Sequence, residues 1–151
     1  MGSSAIKDRL AGDIKTAMKA GDKPRLATLR NIHAAIKQRE VDERSELDDS
    51  AVLAVLDKRA KQHRESLEAY RSAGRDDLAE QEASELAVLE AYLPAALSDD
   101  ELDEEIAAAI TEAEANSMRD MGRVMGLLKP RLQGRADMGA VSTRVKQRLG
   151  G

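Results

Sequence analysis

Few residues in this chain could carry chemistry. His33 and His63 are the only histidines, and cysteine is absent. A metal centre using both would need them to converge with a carboxylate, because neither an HxxxH nor an HExxH spacing occurs. Each histidine falls within an apolar helical stripe and reads as an amphipathic core residue with one ring nitrogen bonded. The acidic run from Asp99 to Glu105 lacks the central glycine and alternating oxygens of a calcium loop. Its carboxylates instead suit the first turn of a helix, facing the positive end of the dipole. Ser142 and Thr143 have no histidine nearby in sequence to activate them, and no Walker or Rossmann loop is present. The expectation is a chain with no catalytic residue, no metal and no cofactor.

Cations are the more informative class. Arg119, Arg123, Lys129, Arg131, Arg135, Arg144, Lys146 and Arg148 crowd the last 35 residues, which hold only two acidic groups. Residues 75–116 carry the opposite balance, 14 acidic groups against one basic. The cationic segment is either a solvated face or a phosphate footprint. It contains no aromatic residue, which argues against base stacking and favours recognition of folded RNA by shape and phosphate. Gly134 permits a tight turn, and Asp137 caps the final helix. Arg135 lies between them, where free backbone N–H groups and the helix dipole favour a phosphate. Alternatively, Arg135 pairs with an acidic residue of the fifth helix. Gly122 and Gly126, four apart, leave a bare patch where a neighbouring helix or a nucleic acid could come close.

The elements that position these residues are helical throughout. Tyr70 and Tyr92 are the only aromatics, so a core must come from aliphatic side chains and Met, which suits helix-on-helix packing. Ile6, Leu10, Ile14 and Met18 predict a first helix over 4–20, stopped by Gly21. Pro24 opens a second, with Leu26, Leu29, His33 and Ile36 as its stripe. A third starts at Asp48 or Asp49, carries Leu53, Leu56, Ala60, His63, Leu67 and Tyr70, and ends at Gly74. The fourth presents a broad apolar face of Ala79, Ala83, Leu86, Val88, Leu89, Tyr92 and Leu93 before Pro94. Ser98 and Glu101 form a capping box for the fifth, which uses Leu102, Ile106 and Ile110. The sixth is read as capped by Ser117, striped with Met118, Met121, Met125 and Leu128, and broken by Pro130 and Gly134. Val141, Val145 and Leu149 mark the last. The division near Pro94 predicts an all-α chain: a bundle of about four helices over 1–95, then a three-helix tail over 96–151.

Bulk properties set the remaining expectations. Hydrophobic residues make up 42% and charged residues 34% of the 151, enough for a core beneath a heavily solvated surface. No apolar run is long enough to predict a membrane span, and no signal peptide is visible, so the expected location is the cytoplasm.

Several segments together resemble the GatB/YqeY family. They are Leu86-Ala-Val-Leu-Glu-Ala-Tyr-Leu-Pro94 with Ser98-Asp-Asp-Glu-Leu102, Ser117-Met-Arg-Asp-Met-Gly-Arg-Val-Met-Gly126, and Lys129-Pro-Arg-Leu-Gln-Gly-Arg-Ala-Asp137. Ala17 to Leu26 and Glu65 to Arg75 are similar to it as well. The resemblance implies an N-terminal helical domain and a three-helix tail. It also implies kinship with the region of the tRNA-dependent amidotransferase B subunit that touches tRNA without performing chemistry. The implied role is a non-catalytic tRNA-associated module. The alternative is a protein–protein adaptor of the translation or amidotransferase machinery. A carbon–nitrogen ligase activity with glutamine as amido donor would follow from the family label alone. Gln133 and Met138 depart from the residues that relatives often carry beside the basic loop.

Overall fold

The structure, a computed structural model, describes residues 4–150, and every regular element among them is helical. In chain order these are α1 (Ala5–Ala20), α2 (Lys23–Glu43), α3 (Asp49–Ser72), α4 (Asp76–Glu90), α5 (Asp99–Glu112), a 3-10 turn (Met118–Asp120), α6 (Met121–Leu132) and α7 (Met138–Gly150). The chain divides into two compact units at Leu93/Pro94.

The first unit holds α1 to α4 around one core that includes Leu10, Leu29, Ile32, Leu56 and Leu89. Ser4 caps α1 by accepting from the Lys7 amide, and Gly21 closes it in the left-handed region at φ 69°. Asp22 caps α2 with Pro24 in its first turn, and Asp48 caps α3. α3 packs most extensively on α4. Tyr92, beyond the end of α4, donates its hydroxyl to Asp13 on α1, while Arg9 lies 4.5 Å from its ring centroid. Burial and the Asp13 carboxylate hold that phenol protonated well above the ordinary tyrosine range.

Three stripes in this unit differ from their sequence pattern. In α3, Val52 and Val55 join Leu56 and Ala60 in the core, and Leu53 is only half-buried. Met18 is 53% exposed and Ala17 takes its place in the core. A helix advances about 100° per residue, so steps of four drift about 40° each, and a run from Ile6 to Met18 walks off the face. Ala17, seven residues from Leu10, falls only about 20° from it. In α2 the buried set is Leu29, Ile32 and Ile36, which leaves His33 exposed rather than in the core.

The second unit packs α5, α6 and α7 around Ile106, Ala109, Val124, Leu128, Leu132, Val141 and Val145, all with no exposed surface. The capping box at Ser98 is present with both bonds: Glu101 N–H to the Ser98 hydroxyl, and Ser98 N–H to the Glu101 carboxylate, each 3.1 Å. The sixth helix corrects the expectation in three respects. Ser117 makes no side-chain cap bond and precedes the 3-10 turn, so α6 begins only at Met121. The buried stripe is Val124, Leu128 and Leu132; Met121 and Met125 are half-buried beside it and Met118 is exposed. Pro130 lies inside α6, and the helix runs on to Leu132. The carbonyl deprived of its N–H partner belongs to exposed Gly126, where water can serve it, and buried Leu132 anchors the last turn. Gly134, at φ 77°, makes the turn into α7.

Candidate nucleic-acid interface

The core of the second unit fixes how α6 is rotated. With Val124, Leu128 and Leu132 inward, the outward positions are Gly122, Arg123, Gly126, Lys129 and Pro130, all exposed, with exposed Arg119 just ahead in the 3-10 turn. A Cβ built on Gly122 or Gly126 would meet nothing within 4 Å. Among the described residues, no neighbouring helix therefore occupies the bare patch. It is open surface.

The cations divide sharply by partner. Arg144 on α7 forks onto two carboxylates one turn apart on α5, Asp103 at 2.9 Å and Asp99 at 2.8 Å. Arg131 pairs with Glu112 of α5 at 2.6 Å, and Arg123 pairs with Asp120 one turn before it. Asp120 also accepts from the Asn116 amide, and that bond followed by Arg123 holds its carboxyl below the ordinary aspartate range. Among the described residues, Arg119, Lys129, Lys146 and Arg148 are exposed and make no ion pair. The charge contrast along the sequence is thus partly folded back on itself. The second unit as a whole holds ten acidic and eight basic residues.

Among the described residues, Arg135 makes no ion pair with an acidic residue of α5. Its Nε donates to the Ala95 carbonyl at 3.4 Å, and its own carbonyl accepts from the Leu97 amide at 3.0 Å. The loop after α6 is therefore stitched to the segment that leads into α5. Arg135 also helps the Ser98 bonds keep Glu101 below the ordinary glutamate range, at longer reach. At the start of α7, Asp137 accepts from the Gly139 amide at 3.1 Å. The cap expected from the sequence is present, and its carboxylate occupies the end of the helix where a phosphate would sit. Thr143 on α7 spends its hydroxyl on the Gly139 carbonyl.

Sequence spacing missed one constellation. His63 on α3 places Nδ1 2.6 Å from Glu82 and 3.7 Å from Glu85, both on α4, and these donor atoms lie within 4.8 Å of one another. The ring is bonded as expected of an amphipathic histidine. Its partners are two carboxylates three residues apart on the facing helix, a proximity that only tertiary packing creates.

Comparison with known proteins places this fold in a family. The Yqey-like protein family matches residues 7–149. Three curated relatives all carry the name "Altered inheritance of mitochondria protein 41, mitochondrial". The one from Pyrenophora tritici-repentis is 33% identical over 151 residues, covering 97% of this chain and 82% of the relative. That from Eremothecium gossypii is 38% identical over 97 residues, 62% of this chain and 53% of the relative. That from Kluyveromyces lactis is 34% identical over 115 residues, 74% and 60% respectively. The matches thus span only a little over half the length of the latter two. None of these names denotes an enzymatic activity. All of them place the relatives in mitochondria, which overturns the cytoplasmic location expected from composition. No described helix is long and apolar enough to cross a membrane. With an all-helical fold and a family match over nearly its whole length, the chain belongs to the Yqey-like protein family.

Proposed function

We propose that the second unit binds folded RNA, tRNA in the first instance, through phosphate contacts and without catalysis. The observation that carries this reading is the open face of α6. Gly122 and Gly126 bare the helix backbone, and Arg119 and Lys129 flank it with charges that pair with no carboxylate among the described residues. A backbone free of side chains lets a phosphodiester approach closely, and unpaired cations gain most from releasing the counterions of the nucleic acid. Exposed Arg123 adds a forked donor beside them, in exchange with its half-buried partner Asp120. Arg131, Arg135 and Arg144 serve instead to hold the unit together. Gly134 acts with them by turning the chain into α7. Lys146 and Arg148 add unpaired charge on α7.

The test is a filter-binding titration of total tRNA across salt. Arg119→Ala with Lys129→Ala should flatten the log–log salt dependence by about 0.7–0.9 for each lost contact. Arg131→Ala with Arg144→Ala should change it less, because those charges are already spent on Glu112, Asp99 and Asp103. An unchanged slope in a properly folded Arg119/Lys129 double variant refutes the RNA reading.

A second reading has its own support. The second unit is net acidic, and Asp100 and Glu104 of α5 are exposed with no ion pair among the described residues. Such a face suits a basic protein partner, as an adaptor of the translation or amidotransferase machinery would require. Pull-down of purified amidotransferase subunits, lost on Asp100→Lys with Glu104→Lys, would favour it over RNA.

A further inference from the structure

We propose that His63, Glu82 and Glu85 form a Zn²⁺-binding site that joins α3 to α4 in the first unit. The donor set is one imidazole nitrogen and two carboxylate oxygens, already gathered within 4.8 Å. Imidazole with carboxylates suits a borderline divalent ion such as Zn²⁺, which takes three protein ligands and leaves a fourth position to water.

Charge points the same way. A single Nδ1 can share only one proton, yet two carboxylates face it, Glu82 at 2.6 Å and Glu85 at 3.7 Å. Among the described residues no Lys or Arg pairs with either carboxylate; Glu85 otherwise accepts only a 3.4 Å bond from Gln81. The three side chains are 17%, 20% and 26% exposed. They are screened enough for the repulsion between carboxylates to matter, and open enough for an ion to enter.

The geometry needs little change. Tetrahedral Zn²⁺ with bonds of about 2.0–2.1 Å holds its ligand atoms roughly 3.3 Å apart. Glu82 must withdraw by about 0.7 Å and Glu85 approach by about 0.4 Å. Both are terminal rotations of partly exposed side chains on a single helical turn. His63 is held by the α3–α4 pair, the most extensive helix contact in the unit, so the frame is already set.

Isothermal titration of the full chain with ZnCl₂ in a non-chelating buffer tests this directly, with thermal unfolding in Zn²⁺ and in EDTA alongside. The expected result is one ion bound per chain and a higher unfolding midpoint that EDTA reverses. Affinity should fall at least tenfold in His63→Ala and in Glu85→Gln, and should be unchanged in His33→Ala. Glu85→Gln is the decisive variant, because the His63–Glu82 bond survives in it and circular dichroism can verify the fold. Absence of binding by the wild type overturns the proposal. So does wild-type affinity in folded Glu85→Gln, or loss of binding in His33→Ala, which would place the ion near Glu40 and Glu46 instead.

Discussion

Leu89 should be among the costliest truncations in the first unit, and its neighbour Leu86 measurably cheaper. Leu89 is 1% exposed and Leu86 is 8% exposed, on the same face of α4. Replacing Leu89 with Ala removes three buried carbons, about 2.4 kcal/mol at about 0.8 kcal/mol each. The cavity adds about 1–2 kcal/mol if the surroundings do not collapse. They are poorly placed to do so. Leu29 and Leu56 are fully buried in the same core, and Tyr92, three residues on, is pinned to α1 through Asp13. The expected cost is therefore about 3.5–4.5 kcal/mol for Leu89→Ala. For Leu86→Ala it is about 2–3 kcal/mol, because a site at the edge of the core relaxes and admits water. Amide hydrogen exchange on the full chain, read on peptides from α1 to α4, isolates this unit, and urea unfolding gives the magnitude at constant slope. A change below about 1 kcal/mol for both variants would show that α4 contributes little to the core. Equal costs would show that the exposure difference does not govern them.

Two further outcomes follow from local geometry. Gly134→Ala should destabilise the second unit by about 1–2 kcal/mol, the cost of placing a Cβ at φ 77°, checked by exchange protection of α6 and α7. Acid should weaken the first unit through Glu40. Its carboxylate accepts from Lys7 at 2.8 Å and from the Leu47 amide at 2.9 Å, and these bonds hold it below its ordinary 4.5. A group depressed in the folded state contributes fully above its unfolded value, and that contribution fades as pH falls through the folded one. Glu40→Gln should therefore flatten the loss of stability with acid below about pH 4.5, measured as unfolding midpoint against pH.

Much of the fold was legible because most helices carry their own punctuation, α4 and α6 being the two without a side-chain cap at their start. Ser4, Gly21, Asp48, Gly74, Ser98 and Asp137 act where their types suggest, and the apolar periodicity admits no strand. The errors share a physical origin. A sequence stripe defines a face only to within one residue per turn, so the spacing predicts Met18 and His33 inward where Ala17 and Ile32 hold those positions. The methionines around Met121 looked like a core stripe because they are large, but Val124, one residue short of Met125, faces the centre. Residue type alone predicts a break at Pro130, but the carbonyl it leaves free is that of exposed Gly126, which needs no protein partner.

The candidate sites were less legible, because charge pairing and ligand convergence are tertiary facts. The sequence separates acid from base into consecutive segments, which resembles a cationic tail seeking an external anion. Folding places α5 against α6 and α7, so Asp99, Asp103 and Glu112 reach the very arginines that the tail was expected to offer. On the proposed RNA reading, what remains for a partner is not the most basic stretch. It is the part of that stretch which α5 cannot reach, the outer face of α6 where two glycines lie between Arg119 and Lys129. The same logic applies to His63. Its sequence neighbours carry no ligand spacing, and its partners come from a helix that doubles back after Gly74 to bring Glu82 and Glu85 alongside. In both units the arrangement depends on which side chains helix packing leaves unpaired, as at Arg119 and Lys129, or brings together, as at His63 with Glu82 and Glu85, and residue types alone do not carry that.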